Sequence, residues 1–431
     1  MFLIYLTLRV SIFHRGINVG FAKDCLKKIT PQIREHEISR VEAVLESCKT
    51  ADDINKLILH HSISQADAAR ACGISLNTFK ERVAEALEQG VIPEVLFENN
   101  KYRYTLSHVH ALMEWMNIPK WSQKNKGCVV LNVQNQKGGS GKSTTVISLA
   151  ASIALRLNER RRVLVIDLDP QGSLRVVAAP SLSADDGVLS AVDLMLGAEE
   201  SGSDYQAYVS KGYSHDEILK GSILSTHIPN LDILPAFPTD ERFSSVAWLN
   251  YAETSELKHL NYFKEKVIGP LLSDYDMIIV DTGPHVNPLT WSSLEACNAL
   301  LIPVSPRKLD WSSTGQFLCN LPEQLTYLPR QGENIQYFKV LAVNYDEEQN
   351  RDLEMLNQIK DVLGKDMLNA TVKRSSAFEA ASRNYRTVFD IKKGDNLCPD
   401  RQLDKALSSL QDVARELLLS LNEIDFNGEI A

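Results

Sequence analysis

The sequence has few features of a membrane protein or of a disulfide-rich secreted protein. Its seven cysteines lie far apart among 431 residues, with no C-x-x-C pair and no histidine cluster at zinc spacing. We therefore expect reduced thiols and a cytoplasmic protein. The apolar start, Met1–Phe13, is shorter than a membrane span of about 20 residues. It also lacks the basic start and the cleavage site of a signal peptide.

The chain also lacks an excess of positive charge, internal repeats and low-complexity tracts. Its formal net charge is −9, so any contact with DNA must come from a local basic patch. Hydrophobic residues make up 44% and charged residues 23% of the chain, which is typical of a soluble globular protein. The 431 residues are enough for two or three domains of about 100–200 residues each.

A glycine-rich segment follows the apolar run Gly127–Val133. A strand, a glycine-rich turn and a helix in this order form a phosphate cradle, because glycines let backbone N–H groups approach phosphate oxygens. A lysine in the loop reaches the β- and γ-phosphates, and the hydroxyl that follows it ligates Mg²⁺. The predicted nucleotide-binding residues are Lys137, Gly138, Gly139, Ser140, Gly141, Lys142, Ser143 and Thr144.

This loop departs from the strict P-loop pattern. Gln136 stands where that pattern has glycine, and a second lysine, Lys137, precedes two glycines. Two lysines in one loop cannot easily serve the same nucleotide. We therefore predict that Lys137 reaches across a dimer to the partner's nucleotide; the alternative is a solvated surface lysine.

Three aspartates follow predicted buried strands. Asp167 and Asp169 end the strand Arg161–Leu168, and Asp281 ends the strand Tyr275–Thr282. Carboxylates at strand ends beside a phosphate site suit Mg²⁺ binding or the positioning of water. An aspartate after a single strand is common turn chemistry, but three beside such a loop predict a metal-dependent site.

The segments K-G-G-S-G-K-S-T, D-L-D-P-Q and D-T-G-P resemble the ParA family of deviant Walker ATPases, from Gly127 to the C-terminus. The resemblance implies ATP or ADP and Mg²⁺ as cofactors. It implies that Lys137 crosses the dimer interface, that Lys142 binds phosphate and that Asp169 is linked to hydrolysis. The metal site then comprises Ser143, Asp167 and Asp281. Gly283 is a small departure, since many members have proline there.

The front of the chain predicts a second domain. Residues 30–59 have helical spacing and are a candidate dimerisation segment, and residues 60–118 read as a helix-turn-helix domain. Its second helix, capped by Ser75, would present Asn77, Thr78, Lys80 and Arg82 to DNA. The segment Leu96–Leu106 predicts a hairpin, or wing, with Lys101 and Arg103 near phosphates. The alternative is an ordinary helical hairpin.

The remaining boundaries follow from composition. Residues 1–29 form an extension of uncertain role, residues 119–126 a polar linker, and residues 127–431 the ATPase domain. Alternating strands and helices predict an α/β fold with a doubly wound, mostly parallel sheet. Polar residues predict an irregular segment at Asp185–Asp216. Further strands are expected at Leu231–Leu234, Ala299–Val304, Phe338–Asn344 and Ala370–Lys373, and helices at Arg351–Leu363 and Leu403–Leu421.

One segment of this acidic chain is basic. Residues 371–393 hold six cations against two carboxylates, which predicts contact with the DNA backbone or, alternatively, a solvated face. The ParA resemblance favours DNA, since ATP-bound members coat DNA without sequence preference. The cations are Lys373, Arg374, Arg383, Arg386, Lys392 and Lys393.

The resemblance implies a partition ATPase that dimerises on ATP, binds nonspecific DNA on the nucleoid as dimers or filaments, and is stimulated by a ParB-like centromere-binding partner. The helix-turn-helix adds an expected autorepressor role. One rival is a MinD-like membrane ATPase, but the end of the chain, Glu416–Ala431, is acidic and poor in the cations that a membrane helix needs. The other is a transcription regulator that senses nucleotide.

Overall fold

The computed structural model describes residues 31–32, 51–98, 100–121, 127–174 and 187–426. By compactness the chain divides into Met1–Asp53 and Ile54–Ala431, and nearly all of the described residues belong to the second unit. The apolar start, residues 33–50 of the predicted helical segment and residues 122–126 of the predicted linker lie outside the described residues.

The front domain combines four helices with a small antiparallel sheet. The sheet has the strand order β1-β3-β2, and the hairpin of β2 and β3 was predicted. The elements are α1 (Ala51–His60), β1 (Ile63–Ser64), α2 (Gln65–Cys72), α3 (Leu76–Glu88), β2 (Leu96–Glu98), β3 (Lys101–Tyr104) and α4 (Leu106–Trp115).

Capping residues determine where α2 ends and where α2 and α3 begin. Ser64 caps α2 by accepting the Asp67 N–H at 3.2 Å, and α2 ends at Gly73, whose φ of 70° favours glycine. Ser75 accepts the Thr78 N–H at 3.2 Å and caps α3 as predicted. The two helices therefore meet at a short turn, and each begins with a satisfied N-terminus.

The core of the front domain lies beneath α3. Phe79, Val83 and Ala86 are buried at helical spacing. Phe79 packs edge-on against Tyr104 of β3, with ring centroids 5.3 Å apart. Leu157 of the following domain packs against the same cluster, so the front domain rests on the ATPase domain.

The second domain is built on a seven-stranded sheet with the order β10-β9-β4-β8-β5-β7-β6. All neighbouring pairs are parallel except β6 with β7 at one edge. The mostly parallel sheet confirms the predicted architecture. Its strands are β4 (Val129–Val133), β5 (Val163–Asp167), β6 (Leu224–Ser225), β7 (Leu231–Leu234), β8 (Met277–Asp281), β9 (Ala299–Val304) and β10 (Tyr337–Ala342).

Helices cover both faces of this sheet. Along β4, Leu131 faces one hydrophobic cluster and Val130 the other, because successive side chains of a strand point to opposite faces. The helices are α5 (Lys142–Ala154), α6 (Ala191–Leu196), α7 (Asp204–Ser210), α8 (His215–Gly221), α9 (Arg242–Thr254), α10 (Pro288–Ala296), α11 (Lys308–Thr326), α12 (Asn350–Leu363), α13 (Ser376–Arg383) and α14 (Asp400–Leu421).

Two local predictions were wrong. The expected strand at Ala370–Lys373 is absent from this described segment, where Lys373 makes only an isolated bridge to Tyr345. The segment Asp185–Asp216, expected to be irregular, contains α6 and α7 and the start of α8. Polar composition hid these helices, which serine residues cap: Ser190, Ser203 and Ser214 each accept a backbone N–H.

None of the helices in the described part of the chain combines the length and hydrophobicity that a membrane span needs.

Candidate nucleotide site at the strand ends

The glycine-rich loop and two of the aspartates lie at the same edge of the sheet. β8 lies between β4 and β5, and the register pairs Asp281 with Val133 on one side and with Asp167 on the other. The loop Lys137–Thr144 begins just beyond Val133 and leads into α5. The three segments that the sequence predicts as one site therefore meet at the carboxyl ends of adjacent strands, where open parallel sheets bind ligands.

A buried asparagine that the sequence did not single out holds the start of this loop. The Asn135 side-chain oxygen accepts the Lys137 N–H at 3.0 Å. Its amide donates to the Pro303 carbonyl at 2.8 Å and to the Thr314 hydroxyl at 2.9 Å. Gly139 and Gly141 have φ values of 72° and 79°, so the loop needs glycine at these two positions.

Lys142 is buried in the loop, 7% exposed. Its ammonium group donates to the Lys137 carbonyl at 3.4 Å, so the side chain lies along the inside of the loop. Burial lowers its pKa, while the nearby Asp281 and Asp169 carboxylates raise it. This charge would have a phosphate as its natural partner.

The carboxylate of Asp281 has the surroundings of a metal ligand. Both of its oxygens are buried and lack a well-formed hydrogen bond within the described part of the chain, although the Ser143 hydroxyl and the Thr282 N–H lie close to the carboxylate. The pKa of Asp281 is raised to about 7, mainly by burial and further by the charge of Asp169. Ser143 and Lys142 act in the opposite direction. Orphaned oxygens beside the Ser143 hydroxyl fit Mg²⁺, which prefers hard oxygen ligands.

The other two aspartates, Asp167 and Asp169, differ in their surroundings. Asp167 accepts the Asp169 N–H at 3.0 Å and the Leu174 N–H at 3.3 Å, one on each oxygen. It therefore shapes the loop after β5, and its place in the metal site stays a prediction. Asp169 is half-buried, and a Cβ built on Gly283 would lie 3.5 Å from its carboxylate. The Asp-Thr-Gly-Pro turn therefore lies against Asp169, with room for a Cβ at Gly283 in ordinary van der Waals contact.

Lys137 has the exposure that its predicted role requires. Its side chain is 41% exposed, and its ammonium group lies 3.9 Å from the Asp310 carboxylate. This contact is too long to fix the side chain, so Lys137 remains free to meet a group outside its own subunit.

A cavity of about 360 Å³ opens beside the loop. Gly139, Gly141 and Thr144 line one side, and residues from Asn344 and the segment Lys373–Glu379 line the other. The size suits part of a nucleotide. Lys373 and Arg374, which the sequence predicts as DNA contacts, line this cavity because the turn before α13 returns to the strand ends that carry the loop.

Ion pairs reduce the charge of the basic segment. Lys373 bonds Glu347 at 2.7 Å and Lys393 bonds Asp404 at 2.7 Å. Arg374 lies 3.6 Å from Asp346 and Arg383 lies 3.8 Å from Glu379. Carboxylates therefore balance four of the six predicted DNA-binding cations. Arg386 and Lys392 are the two without an ion pair among the described residues.

Comparison with known proteins agrees with this geometry. Residues 128–327 match a family described as an AAA domain. Plasmid partition protein A of Escherichia coli is 28% identical over 327 residues, covering 73% of this chain and 77% of that protein. Chromosome partitioning protein ParA of Myxococcus xanthus is 26% identical, covering 61% of this chain and 82% of that protein.

A solved structure described as a partition protein superposes with a TM-score of 0.64 at 20% identity, covering 93% of this chain and 100% of that one. At this identity the likeness shows the fold. The chain is therefore similar to partition proteins of the ParA type in sequence and shares the fold of a partition protein. The strand-end site is accordingly its ATPase site.

The buried carboxylate of this ATPase site gives a pH-dependent prediction. In the nucleotide-free protein the pKa of Asp281 is raised from 3.8 to about 7. The folded state therefore binds more protons than the unfolded state in that interval, and stability falls as the pH rises through it. Asp281→Asn should raise the free energy of unfolding at about pH 8, on the order of 2 kcal/mol. Thermal melting at a series of pH values measures the gain, which should shrink as the pH falls towards 4.

Asp276 is the matched control at the other end of β8. It accepts the Arg162 N–H at 2.8 Å and pairs with the Arg162 guanidinium at 3.2 Å. Asp276→Asn should therefore lower the melting temperature, because it removes one partner of a buried ion pair and leaves the charge of the other without its partner. An Asp281→Asn protein that melts at or below the wild-type temperature at about pH 8 would contradict the account of Asp281.

Proposed function

We propose that the protein is a DNA partition ATPase that dimerises on ATP, binds DNA without sequence preference in the dimeric state, and releases it after hydrolysis. One observation carries the proposal: the loop beside Asp281 contains two lysines, of which Lys142 is buried and Lys137 has a partly exposed side chain. One lysine serves the nucleotide of its own subunit, and the other remains available to a partner subunit.

The nucleotide is ATP, with Mg²⁺ held by Ser143 and Asp281. Bound Mg²⁺ neutralises charge on the phosphates. The backbone N–H groups of the glycine loop and the ammonium group of Lys142 bind the phosphate oxygens. Asp169, half-buried near the turn at Gly283, orients the attacking water. Protein groups of this kind act mainly by positioning and by charge neutralisation.

We assign the rest of the nucleotide to the cavity beside the loop. Phe378 and Val343 provide apolar surface there, and Asn344 and Ser375 provide polar groups. Such a mixture suits the base and ribose of ATP. Lys373 and Arg374 line the same cavity and are therefore better candidates for nucleotide contact than for DNA contact. Arg386 and Lys392 remain the stronger candidates for contact with the DNA backbone.

For the front domain we propose a helix-turn-helix with a wing that binds operator DNA and represses the protein's own synthesis. Its second helix, α3, exposes Asn77, Thr78, Lys80 and Arg82 on the side opposite its buried residues. Arg82 bonds Glu85 at 2.8 Å and Thr78 bonds Ser75 at 2.8 Å. Asn77 and Lys80 are therefore the best placed to contact DNA. Lys101 and Arg103 of the wing are also exposed.

Two substitutions on α3 test this assignment. Asn77→Ala should weaken binding to the operator by about 1–3 kcal/mol and relax sequence preference, because an amide that reads a base edge is lost. Lys80→Ala should weaken binding to all sequences and lower the salt slope of log K by about 0.9. Fluorescence anisotropy with operator and unrelated duplexes at several salt concentrations measures both effects.

The control for these substitutions is Lys211→Ala, which removes an exposed lysine from the end of α7. It should leave the affinity for both duplexes and the salt slope of log K unchanged. If both α3 variants bind the operator as tightly as the wild type, the helix-turn-helix assignment is wrong and α2 and α3 are an ordinary helical hairpin.

We further propose a ParB-like, centromere-bound partner that accelerates hydrolysis. The deciding experiment is the ATPase rate of the full chain with and without nonspecific DNA and with the partner. Partition predicts a slow basal rate that rises with DNA and rises further with the partner. A rate indifferent to both would favour the second candidate, a nucleotide-sensing regulator, which the exposed face of α3 supports.

A MinD-like role at a membrane has less support. The apolar face of α14 is occupied, since Leu410, Val413 and Leu417 are buried in the core of the ATPase domain. A helix whose apolar face is packed against its own domain cannot offer that face to lipid.

A further inference from the structure

Two histidines and an aspartate from distant parts of the chain meet beside the front domain. His61 follows α1, His227 lies in the turn between β6 and β7, and Asp390 ends a short 3₁₀ helix, Val388–Asp390. The Nε2 atoms of His61 and His227 lie 2.8 Å and 2.7 Å from the same carboxylate oxygen, Oδ1 of Asp390. All three ligand-type atoms lie within 4.8 Å of one another.

We propose that His61, His227 and Asp390 form a binding site for a divalent transition metal of the zinc type, which fastens the end of α1 to the ATPase domain. Imidazole nitrogen and carboxylate oxygen are ligands for zinc, and three protein ligands leave a fourth position for water. The site is separate from the Mg²⁺ position, whose ligands are hydroxyl and carboxylate oxygens alone.

Hydrogen bonds hold the Asp390 side chain and the turn that carries His227. The second oxygen of Asp390 accepts the Thr387 N–H and the Thr387 hydroxyl, both at 2.8 Å. Oδ1 is thereby turned towards the histidines. His227 sits in a turn fixed by Thr226, whose hydroxyl accepts the Ile228 N–H at 3.2 Å and donates to the Leu231 carbonyl at 2.8 Å. Ligands oriented by second partners are typical of metal sites.

The spacing is compatible with a tetrahedral ion. Bonds of about 2.0–2.2 Å separate the ligand atoms of a tetrahedral zinc by about 3.3–3.5 Å. The two nitrogen–oxygen distances of 2.7 and 2.8 Å are hydrogen-bond distances and lie below this separation, and the widest pair is at most 4.8 Å apart. The imidazole rings are nearly parallel, at 26° with centroids 5.8 Å apart. To admit the ion, the two nitrogen atoms would have to move away from the Asp390 oxygen.

The site is also accessible from solvent. The Asp390 side chain is fully buried, whereas those of His61 and His227 are 8% and 13% exposed. His60, the neighbouring histidine, is committed elsewhere, because its Nε2 atom lies 2.7 Å from the Phe389 carbonyl. This difference between adjacent histidines provides a matched control.

The test uses the full chain, stripped of metal with a chelator and dialysed into buffer with excess Mg²⁺. Zinc uptake is measured by calorimetry and by elemental analysis, and Co²⁺ serves as a visible probe of tetrahedral geometry. We expect one zinc per chain in the wild type and in His60→Gln. His61→Gln and His227→Gln should each bind zinc at least about 100-fold more weakly, a larger loss than is typical when only a partner that orients a metal ligand is removed.

Glutamine can still donate a hydrogen bond to Asp390, so the two ligand variants should fold, and metal-free melting curves and ATP binding check that they do. Zinc should raise the melting temperature of the wild type and of His60→Gln only. Equal uptake by the wild type and both ligand variants would overturn the proposal. So would a wild type that takes up no zinc at micromolar concentration, since the three side chains would then be a hydrogen-bonded clamp and nothing more.

Discussion

Lys142→Ala is expected to abolish ATP turnover, with a fall in kcat/KM of about 10³-fold or more. The buried ammonium group lies beside Asp281 and Asp169, and a bound phosphate would bring further negative charge to the same place. Without Lys142 that charge would be opposed only by Mg²⁺ and by backbone N–H groups. ATP affinity should fall with the rate, which a fluorescent ATP analogue and a phosphate-release assay measure separately.

Lys220→Ala is the control. Lys220 pairs with Asp274 at 2.8 Å, just before β8 and therefore at the opposite edge of the sheet, so its removal should leave turnover unchanged. Lys142→Ala protein that binds the analogue as tightly as the wild type would show that the phosphate cradle is misassigned.

Lys137→Ala is expected to separate binding from turnover. The side chain is 41% exposed and only loosely paired with Asp310, so nucleotide binding by a single subunit should be nearly unchanged. Turnover should fall by at least about 10²-fold, because a cation supplied in trans to a phosphoryl group has effects of that order or larger. ATP-dependent dimerisation, measured by sedimentation, should be lost as well.

Asp310→Asn is the companion to this variant, since it removes the contact of Lys137 within its own subunit and leaves the lysine in place. It should retain turnover and ATP-dependent dimerisation. Normal sedimentation and normal turnover of Lys137→Ala would make Lys137 a solvated surface residue.

The sequence was most informative where chemistry depends on neighbours along the chain. The P-loop, the cap at Ser75 and the aspartates that end β5 and β8 are local patterns, and the structure places them as expected. Asp167 and Asp281 could be expected to meet because parallel strands bring their carboxyl ends to one edge. The order of the strands, which decides that they are neighbours, is not a local property.

Features that depend on distant segments were missed for the same reason. Charge counted along the chain predicts a DNA surface at Lys373 and Arg374, but it does not reveal their ion pairs with Glu347 and Asp346. No local pattern indicates that His61 and His227 lie near each other, because they are far apart along the chain and approach the same carboxylate of Asp390 only in the folded protein. Asn135 gave no signal, since an asparagine beside a loop is common turn chemistry.

The stretch from Lys373 to Asp390 has a consequence for communication between the two domains. Its beginning forms a wall of the nucleotide cavity, and its end holds His61 behind the front domain. Between them stand α13 and a turn in which Tyr385 has a φ of 52°. A shift of this segment on ATP binding would alter both places at once. Coupling of this kind is reciprocal. If the front domain binds operator DNA as proposed, the factor by which ATP changes operator affinity must equal the factor by which operator DNA changes ATP affinity.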